Sequence, residues 1–212
     1  MNRRLFVQKS IKVVTFLGIS PSFISTKTGF DVKHIEESFK EYIEDPNDET
    51  ANQLYNIIPL FDSYDQDRKN EIANTLDLNF NVLETHIGTE SKSAIDLAFR
   101  LFSITDGALS SLLNMTIGPY LHIDPSYFLK SLKKHSHLVV KKKVLGNLGI
   151  DLVDEVRLQD QEIEKRIYSL EKVDDPSLSN IKNECVGILI NKHHDVDDYL
   201  LEMHEKAKNR NS

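Results

Sequence analysis

The chain has 212 residues, of which 40% are apolar, and a formal net charge of −7 at pH 7. This length and composition predict one globular domain with one sizeable core. The acidic balance gives no support for a nucleic-acid partner or an anionic membrane surface as the main target. Cys185 is the single cysteine, so it cannot close an intramolecular disulfide, and we expect it to be a small core residue of a helix.

The first 25 residues differ in kind from the rest of the chain. They hold four basic residues and no acid, whereas the remainder has 22 basic and 33 acidic residues and a charge of −11. The basic start is followed by a short apolar stretch at residues 13–19 and by serines at positions 20, 22 and 25. This is the layout of an export signal, and the apolar stretch is too short to span a membrane.

Residues 2–10 read NRRLFVQKS, in which the adjacent Arg3 and Arg4 precede Phe6. This stretch resembles the twin-arginine (Tat) export signal of bacteria. The resemblance implies that the protein crosses the inner membrane already folded, often after binding a cofactor or a partner. We therefore expect a periplasmic or exported protein, held at the inner membrane if the signal is not cleaved. The alternative is a basic N-terminal arm or first helix on a cytoplasmic protein.

Helical periodicity begins after this segment. Apolar residues at positions 35, 39, 42 and 43 predict a first helix that ends before Asp45-Pro46, and a second helix follows over residues 49–58. A third apolar pattern covers residues 68–87, where Asp77 and Asn79 could divide it into two helices.

Residues 94–134 form the densest apolar run after the N-terminus. Polar residues at positions 93, 96, 100 and 103 make a narrow stripe on a helix that is otherwise apolar, which predicts burial on most sides. The helical register assigns four large side chains of this run to one core: Phe99, Phe102, Leu112 and Phe128.

Two proline pairs divide this central run. Gly118-Pro119 predicts an end or a kink, because proline lacks the N–H that would bond the preceding turn. Asp124-Pro125 predicts a new helix with Asp124 as its N-cap and Pro125 in its first turn.

The C-terminal third continues with helical patterns over residues 138–148 and 152–170, separated by Gly149. Asp175-Pro176 then opens a helix that contains Cys185. A last helix is predicted to start near Asp195. Its apolar face consists of Val196, Tyr199, Leu200 and Met203.

The sequence therefore predicts an all-α fold: a helical bundle or a short HEAT-like stack of about eight to nine helices, with residues 31–212 as a single domain. Residues 138–148 resemble the second helix of a HEAT repeat, and each of three Asp-Pro pairs precedes a new helix. There is no alternating strand pair with a hairpin turn. No stretch after the N-terminus reaches the roughly 18 apolar residues that a membrane helix needs.

One candidate metal site lies near the C-terminus, where His193, His194 and Asp198 are followed by His204. Imidazole and carboxylate together suit zinc or another divalent metal. His194 and Asp198 have the i, i+4 spacing that lets two side chains share one ion. The competing interpretation is a polar loop in which Asp195 caps the last helix.

A second candidate site is a basic patch between residues 130 and 143, which contains no acid. Such a patch could bind phosphate, nucleic acid or an acidic partner. No aromatic residues interleave with the lysines, and an exported protein rarely meets nucleic acid, so an acidic protein partner is the more specific hypothesis. A further hypothesis is that the patch pairs with the acidic segment 151–175, within the fold or in a second copy of the chain. The patch consists of Lys130, Lys133, Lys134, Lys141, Lys142 and Lys143.

The sequence carries no G-x-S-x-G, phosphate-binding glycine loop, H-E-x-x-H or paired-cysteine motif. We therefore predict a binding or accessory protein that engages another protein, without a cofactor and without nucleic acid. The alternative is a metal-binding protein or metal-dependent enzyme that uses the C-terminal His/Asp cluster.

Overall fold

The computed structural model describes residues 32–58, 74–76, 79–105, 107–148 and 155–210. Within these ranges all regular structure is helical and no strand occurs, so the predicted all-α class is confirmed. None of the helices in these ranges is long and apolar enough to cross a membrane. Arg3, Arg4 and Phe6 of the predicted export signal lie outside the described residues.

Ten α-helices have both ends inside the described ranges, slightly more than the eight or nine predicted. The first five are α1 (Val32–Glu44), α2 (Asp48–Ile57), α3 (Phe80–Gly88), α4 (Lys92–Leu101) and α5 (Gly107–Ile117). The others are α6 (Tyr120–Ile123), α7 (Pro125–Lys134), α8 (Lys141–Gly146), α9 (Val156–Glu171) and α10 (Ser179–Arg210), with a 3₁₀ turn at Pro176–Leu178 just before α10.

The three Asp-Pro pairs act as the sequence predicts, at the boundaries of helices. Helix α1 ends at Glu44, immediately before Asp45-Pro46. The Asp124 carboxylate accepts a hydrogen bond from the backbone N–H of Tyr127 at 2.8 Å and so caps α7. Asp175 accepts one from the N–H of Ser177 at 2.9 Å, but the turn that it starts is 3₁₀, and α10 begins only at Ser179. These bonds satisfy backbone donors that the first turn of a helix leaves without partners.

Helix α4 lies at the centre of the core and packs against α2, α3, α5 and α7. Its polar stripe is narrow, as predicted, and six of its ten residues are buried. The rings of Phe99 on α4 and Phe128 on α7 are fully buried and lie 6.3 Å apart between centroids, so the predicted core pairing of these two side chains is confirmed. Phe102 is only partly buried against this core, and Leu112 is half-buried.

The C-terminal part of the fold is built on α9 and α10, which pack along each other, while α10 also contacts α7 and α8. The buried face of α10 carries Ile181, Cys185, Leu189 and Val196, so the predicted core position of Cys185 is confirmed. Burial raises the pKa of the Cys185 thiol to about 12, which keeps it protonated and unreactive.

Two predicted boundaries in this part are wrong. Residues 179–210 form one helix of 32 residues, and no break occurs at Asp195, because the region holds neither proline nor a glycine that ends the helix. The helix predicted over residues 138–148 is shorter, since α8 covers only Lys141–Gly146. The preceding Val140 is β-branched and extended, which delays the start of α8.

Candidate functional site

The predicted metal residues are placed on α10, and the structure gives one of them unexpected neighbours. Nε2 of His193 lies 2.8 Å from Oδ1 of Asp160 and 3.8 Å from Oε1 of Glu164, both on α9. The ring of His194 is tilted by 74° to that of His193, with 6.4 Å between their centroids. Adjacent residues of a helix point in different directions, so the two imidazoles do not converge on one point.

Asp198 and His204 also belong to α10 by their backbone, but their side chains lie outside the described part of the chain. The predicted pairing of His194 with Asp198 therefore stays a prediction. Sequence reasoning missed Asp160 and Glu164, although their i, i+4 spacing on a predicted helix was a readable signal.

The basic patch is largely engaged within the fold. Its ion pairs join Lys134 to Asp96 at 2.7 Å, Lys141 to Glu184 at 2.7 Å, and Lys130 to Asp175 at 3.8 Å. Nζ of Lys133 donates to the carbonyl oxygen of Ser177 at 3.1 Å. Lys142 and Lys143 are exposed. Four of the six lysines thus bond to neighbouring elements, and among these contacts Lys130 with Asp175 is the one that involves the acidic segment 151–175.

His135, inside the same patch, is a buried structural group. Its ring stacks on Phe99, with 5.5 Å between centroids and 2° between planes. Nδ1 donates to the carbonyl oxygen of Ser131 at 2.8 Å, and Nε2 accepts from the hydroxyl of Tyr55 at 3.0 Å. Burial lowers the pKa of His135, so the ring stays neutral with its proton on Nδ1.

The second buried polar network is centred on Arg166 of α9, whose side chain is 1% exposed. Nε of Arg166 donates to Glu162 at 2.9 Å, and Nη1 donates to the carbonyl oxygens of Leu145 at 2.8 Å and Asn147 at 3.2 Å. One guanidinium thus satisfies backbone acceptors at the end of α8 and a carboxylate on its own helix.

This network continues to the surface through His122, whose Nε2 lies 2.8 Å from Oε1 of Glu162. Burial by itself would raise the pKa of Glu162, but the hydrogen bonds from His122 and Arg166 outweigh it and lower the pKa to about 2. A Cβ atom at Gly118 would lie 3.0 Å from Nη1 of Arg166, so a larger residue there would crowd the guanidinium. Arg166 occupies an apolar register position between Ile163 and Leu170, and that misplaced charge was the signal in the sequence.

A small cavity lies between α1, α3 and α4, lined by apolar side chains that include Phe39, Leu83 and Leu101. Its volume is about 10 Å³, which holds one water molecule at most. The cavity therefore does not provide a substrate pocket.

The surface feature that stands out is at the far end of α10. The buried stripe of this helix, which includes Cys185, Leu189 and Val196, continues three residues later with Tyr199, which is 50% exposed. Leu201, 64% exposed, lies about 200° further round the helix and so on the opposite side. An aromatic residue in the core-facing register, but open to solvent, marks a surface that another element can cover.

The described residues thus define an all-α helical protein with two buried polar networks and a half-exposed Tyr199 in the core-facing register of α10. Comparison with known proteins gave no match: no family model, no curated protein and no solved structure is significantly similar to the chain.

Proposed function

We propose that this chain is a binding or accessory protein that engages another protein through the end of α10. The observation that carries the proposal is Tyr199, which continues the buried stripe of α10 and is nevertheless half exposed. Aromatic side chains of this kind are the anchors that contribute most to protein–protein binding.

The lengths of the two packed helices explain why the stripe is open. The 32 residues of α10 extend about 48 Å, and the 16 residues of α9 extend about 24 Å. His193 meets Asp160 only four residues from the first residue of α9. The remaining 17 residues of α10 extend about 25 Å beyond that point, past the start of α9. A helix of a partner can lie beside α10 there.

The sequence also indicates the chemistry of this partner. Acidic residues at positions 195 and 202 lie within about 60° of Tyr199 in the register of α10. The surface therefore suits an amphipathic helix whose apolar face is bordered by Lys or Arg. Lys142 and Lys143 are a second, smaller surface, which suits an acidic segment.

A matched pair of variants on the same helix tests the proposal. The full chain serves as bait in an extract of the cells that make it, with Tyr199→Ala and Leu201→Ala compared at limiting amounts. A buried tyrosine anchor contributes about 2 kcal/mol or more, so Tyr199→Ala should reduce partner recovery at least about tenfold, while Leu201→Ala changes it little. Equal losses in both variants would show that this stripe is not the docking surface. A chain that recovers no partner and turns over a small substrate unaided would overturn the proposed function itself.

We also propose that the protein is exported in folded form, on the strength of the twin-arginine resemblance at Arg3, Arg4 and Phe6. A protein that leaves the cytoplasm folded is able to bind its partner before transport. A metal-binding role is the second candidate function, because His193 meets two carboxylates of α9.

A further inference from the structure

We propose that Asp160, Glu164 and His193 form a binding site for a divalent transition metal, with Zn²⁺ as the best-suited ion. Each side chain offers one ligand atom, and these atoms all lie within 4.8 Å of one another. The site joins α9 to α10, and it contains only one of the four residues that the sequence pattern predicts as ligands.

The backbone places the ligands without distortion. Asp160 and Glu164 are one helical turn apart on α9, so their side chains lie on the same face. His193 approaches both carboxylates from the neighbouring helix α10. The two packed helices thus place His193 on one side of the proposed metal position and the two carboxylates on the other.

The distances fit a zinc site after small side-chain adjustments. Zn–N and Zn–O bonds of about 2.0–2.2 Å in tetrahedral geometry require ligand atoms about 3.3 Å apart. The separations from Nε2 of His193, 2.8 Å to Asp160 and 3.8 Å to Glu164, lie on either side of that value. The Glu164 side chain is 65% exposed and has room to move, whereas Asp160 and His193 are 26% and 25% exposed and define the inner wall.

The contact between Asp160 and His193 places two potential ligand atoms against each other. Nε2 and Oδ1 are both shielded from solvent, and each has a lone pair in its deprotonated form. Two such atoms at 2.8 Å repel each other unless a proton or a metal ion lies between them. Zn²⁺ would take the place of that proton on Nε2, and the neutral ring would then carry its proton on Nδ1. Glu164 adds a second negative charge, which favours a divalent ion over a single proton.

Three protein ligands leave one tetrahedral position for water, and imidazole with carboxylates suits Zn²⁺ better than Mg²⁺ or Ca²⁺, which prefer oxygen ligands alone. Because the ion would bind the folded chain and not the unfolded one, it should raise the melting temperature in proportion to the logarithm of its concentration.

The test uses full-length protein purified without a tag and stripped with a chelator. Calorimetric titration should give one Zn²⁺ ion per chain. Thermal unfolding should show a higher melting temperature with Zn²⁺ and no comparable increase with Mg²⁺. His193→Gln and Asp160→Asn should each weaken Zn²⁺ binding about tenfold or more. His194→Gln is the matched control, because it removes the adjacent imidazole, which points elsewhere, and it should bind Zn²⁺ as the unchanged chain does.

Circular dichroism of each metal-free variant establishes whether it is folded. If His193→Gln does not fold, Zn²⁺ binding by Asp160→Asn tests the proposal. An equal loss in His194→Gln would overturn the proposal in favour of the ligand set that the sequence predicts. Absence of stoichiometric Zn²⁺ binding would overturn it in favour of a simple ion pair.

Discussion

Arg166→Met should destabilise the protein strongly, because Arg166 is the largest fully buried side chain among the described residues. Methionine fills a similar volume but offers no donor. The carbonyl oxygens of Leu145 and Asn147 would lose the N–H groups that bond them at 2.8 and 3.2 Å. Glu162 would lose its partner at 2.9 Å and keep only His122.

The expected cost is about 3–4 kcal/mol in the free energy of unfolding. Removing one partner of a buried ion pair typically costs about 3–5 kcal/mol, and a buried acceptor left without a donor costs about 1–3 kcal/mol. We take the lower part of the range for a buried ion pair, because the Glu162 side chain is 19% exposed and retains His122. This is a large share of the roughly 5–15 kcal/mol that stabilises a domain.

Urea unfolding followed by circular dichroism measures this cost. Arg157→Met is the control, because Arg157 is exposed on the same helix and its loss should change stability by less than about 0.5 kcal/mol. Arg166→Lys should recover little, since an ammonium group lacks the planar fork that reaches Glu162 and the carbonyls together. If Arg166→Met costs less than about 1 kcal/mol, the network does not hold α8 and α9 together.

The same network predicts a loss of stability in acid. The pKa of Glu162 falls from its ordinary 4.5 to about 2 on folding. The ionised Glu162 therefore contributes up to about 3 kcal/mol to the free energy of unfolding above pH 4.5, and this contribution is lost as the pH falls toward 2. Urea unfolding measured at a series of pH values should show the loss, and Glu162→Gln should remove this pH dependence. For export, Arg3→Lys combined with Arg4→Lys should leave the circular dichroism unchanged but retain the protein in the cytoplasm, whereas Lys9→Gln should have little effect. Cell fractionation measures this, and unchanged periplasmic recovery of the double-lysine variant would refute the twin-arginine assignment.

Local chemistry made much of the fold predictable. Asp124-Pro125 specifies a cap and a first helical turn within a few residues, and the structure has both. The narrow polar stripe of α4 likewise identified its buried face, since that pattern depends only on helical periodicity. Phe99 and Phe128 could be assigned to one core for the same reason.

The features that sequence reasoning missed depend on contacts between distant residues. Asp195 has the chemistry of an N-cap, but packing of α10 on α9 carries the helix through it, and local propensity does not report such packing. Asp160 and His193 are 33 positions apart, so their approach depends on how two helices align. The sequence shows Arg166 only as a charged residue in an apolar register. It does not indicate the carbonyl oxygens at the end of α8 that accept its hydrogen bonds.

Arg166 also limits how this protein can be divided. Its guanidinium lies beside Gly118, the residue after α5, and bonds to the carbonyl oxygens that close α8 and to Glu162 on α9. A fragment that ends before α9 would remove the Arg166 donor from the buried carbonyl oxygen of Leu145, and a fragment that begins at α9 would leave Arg166 bonded only to Glu162 of its own helix. A gene rearrangement that transferred one of these halves to another protein would therefore separate Arg166 from the carbonyl oxygens that it bonds.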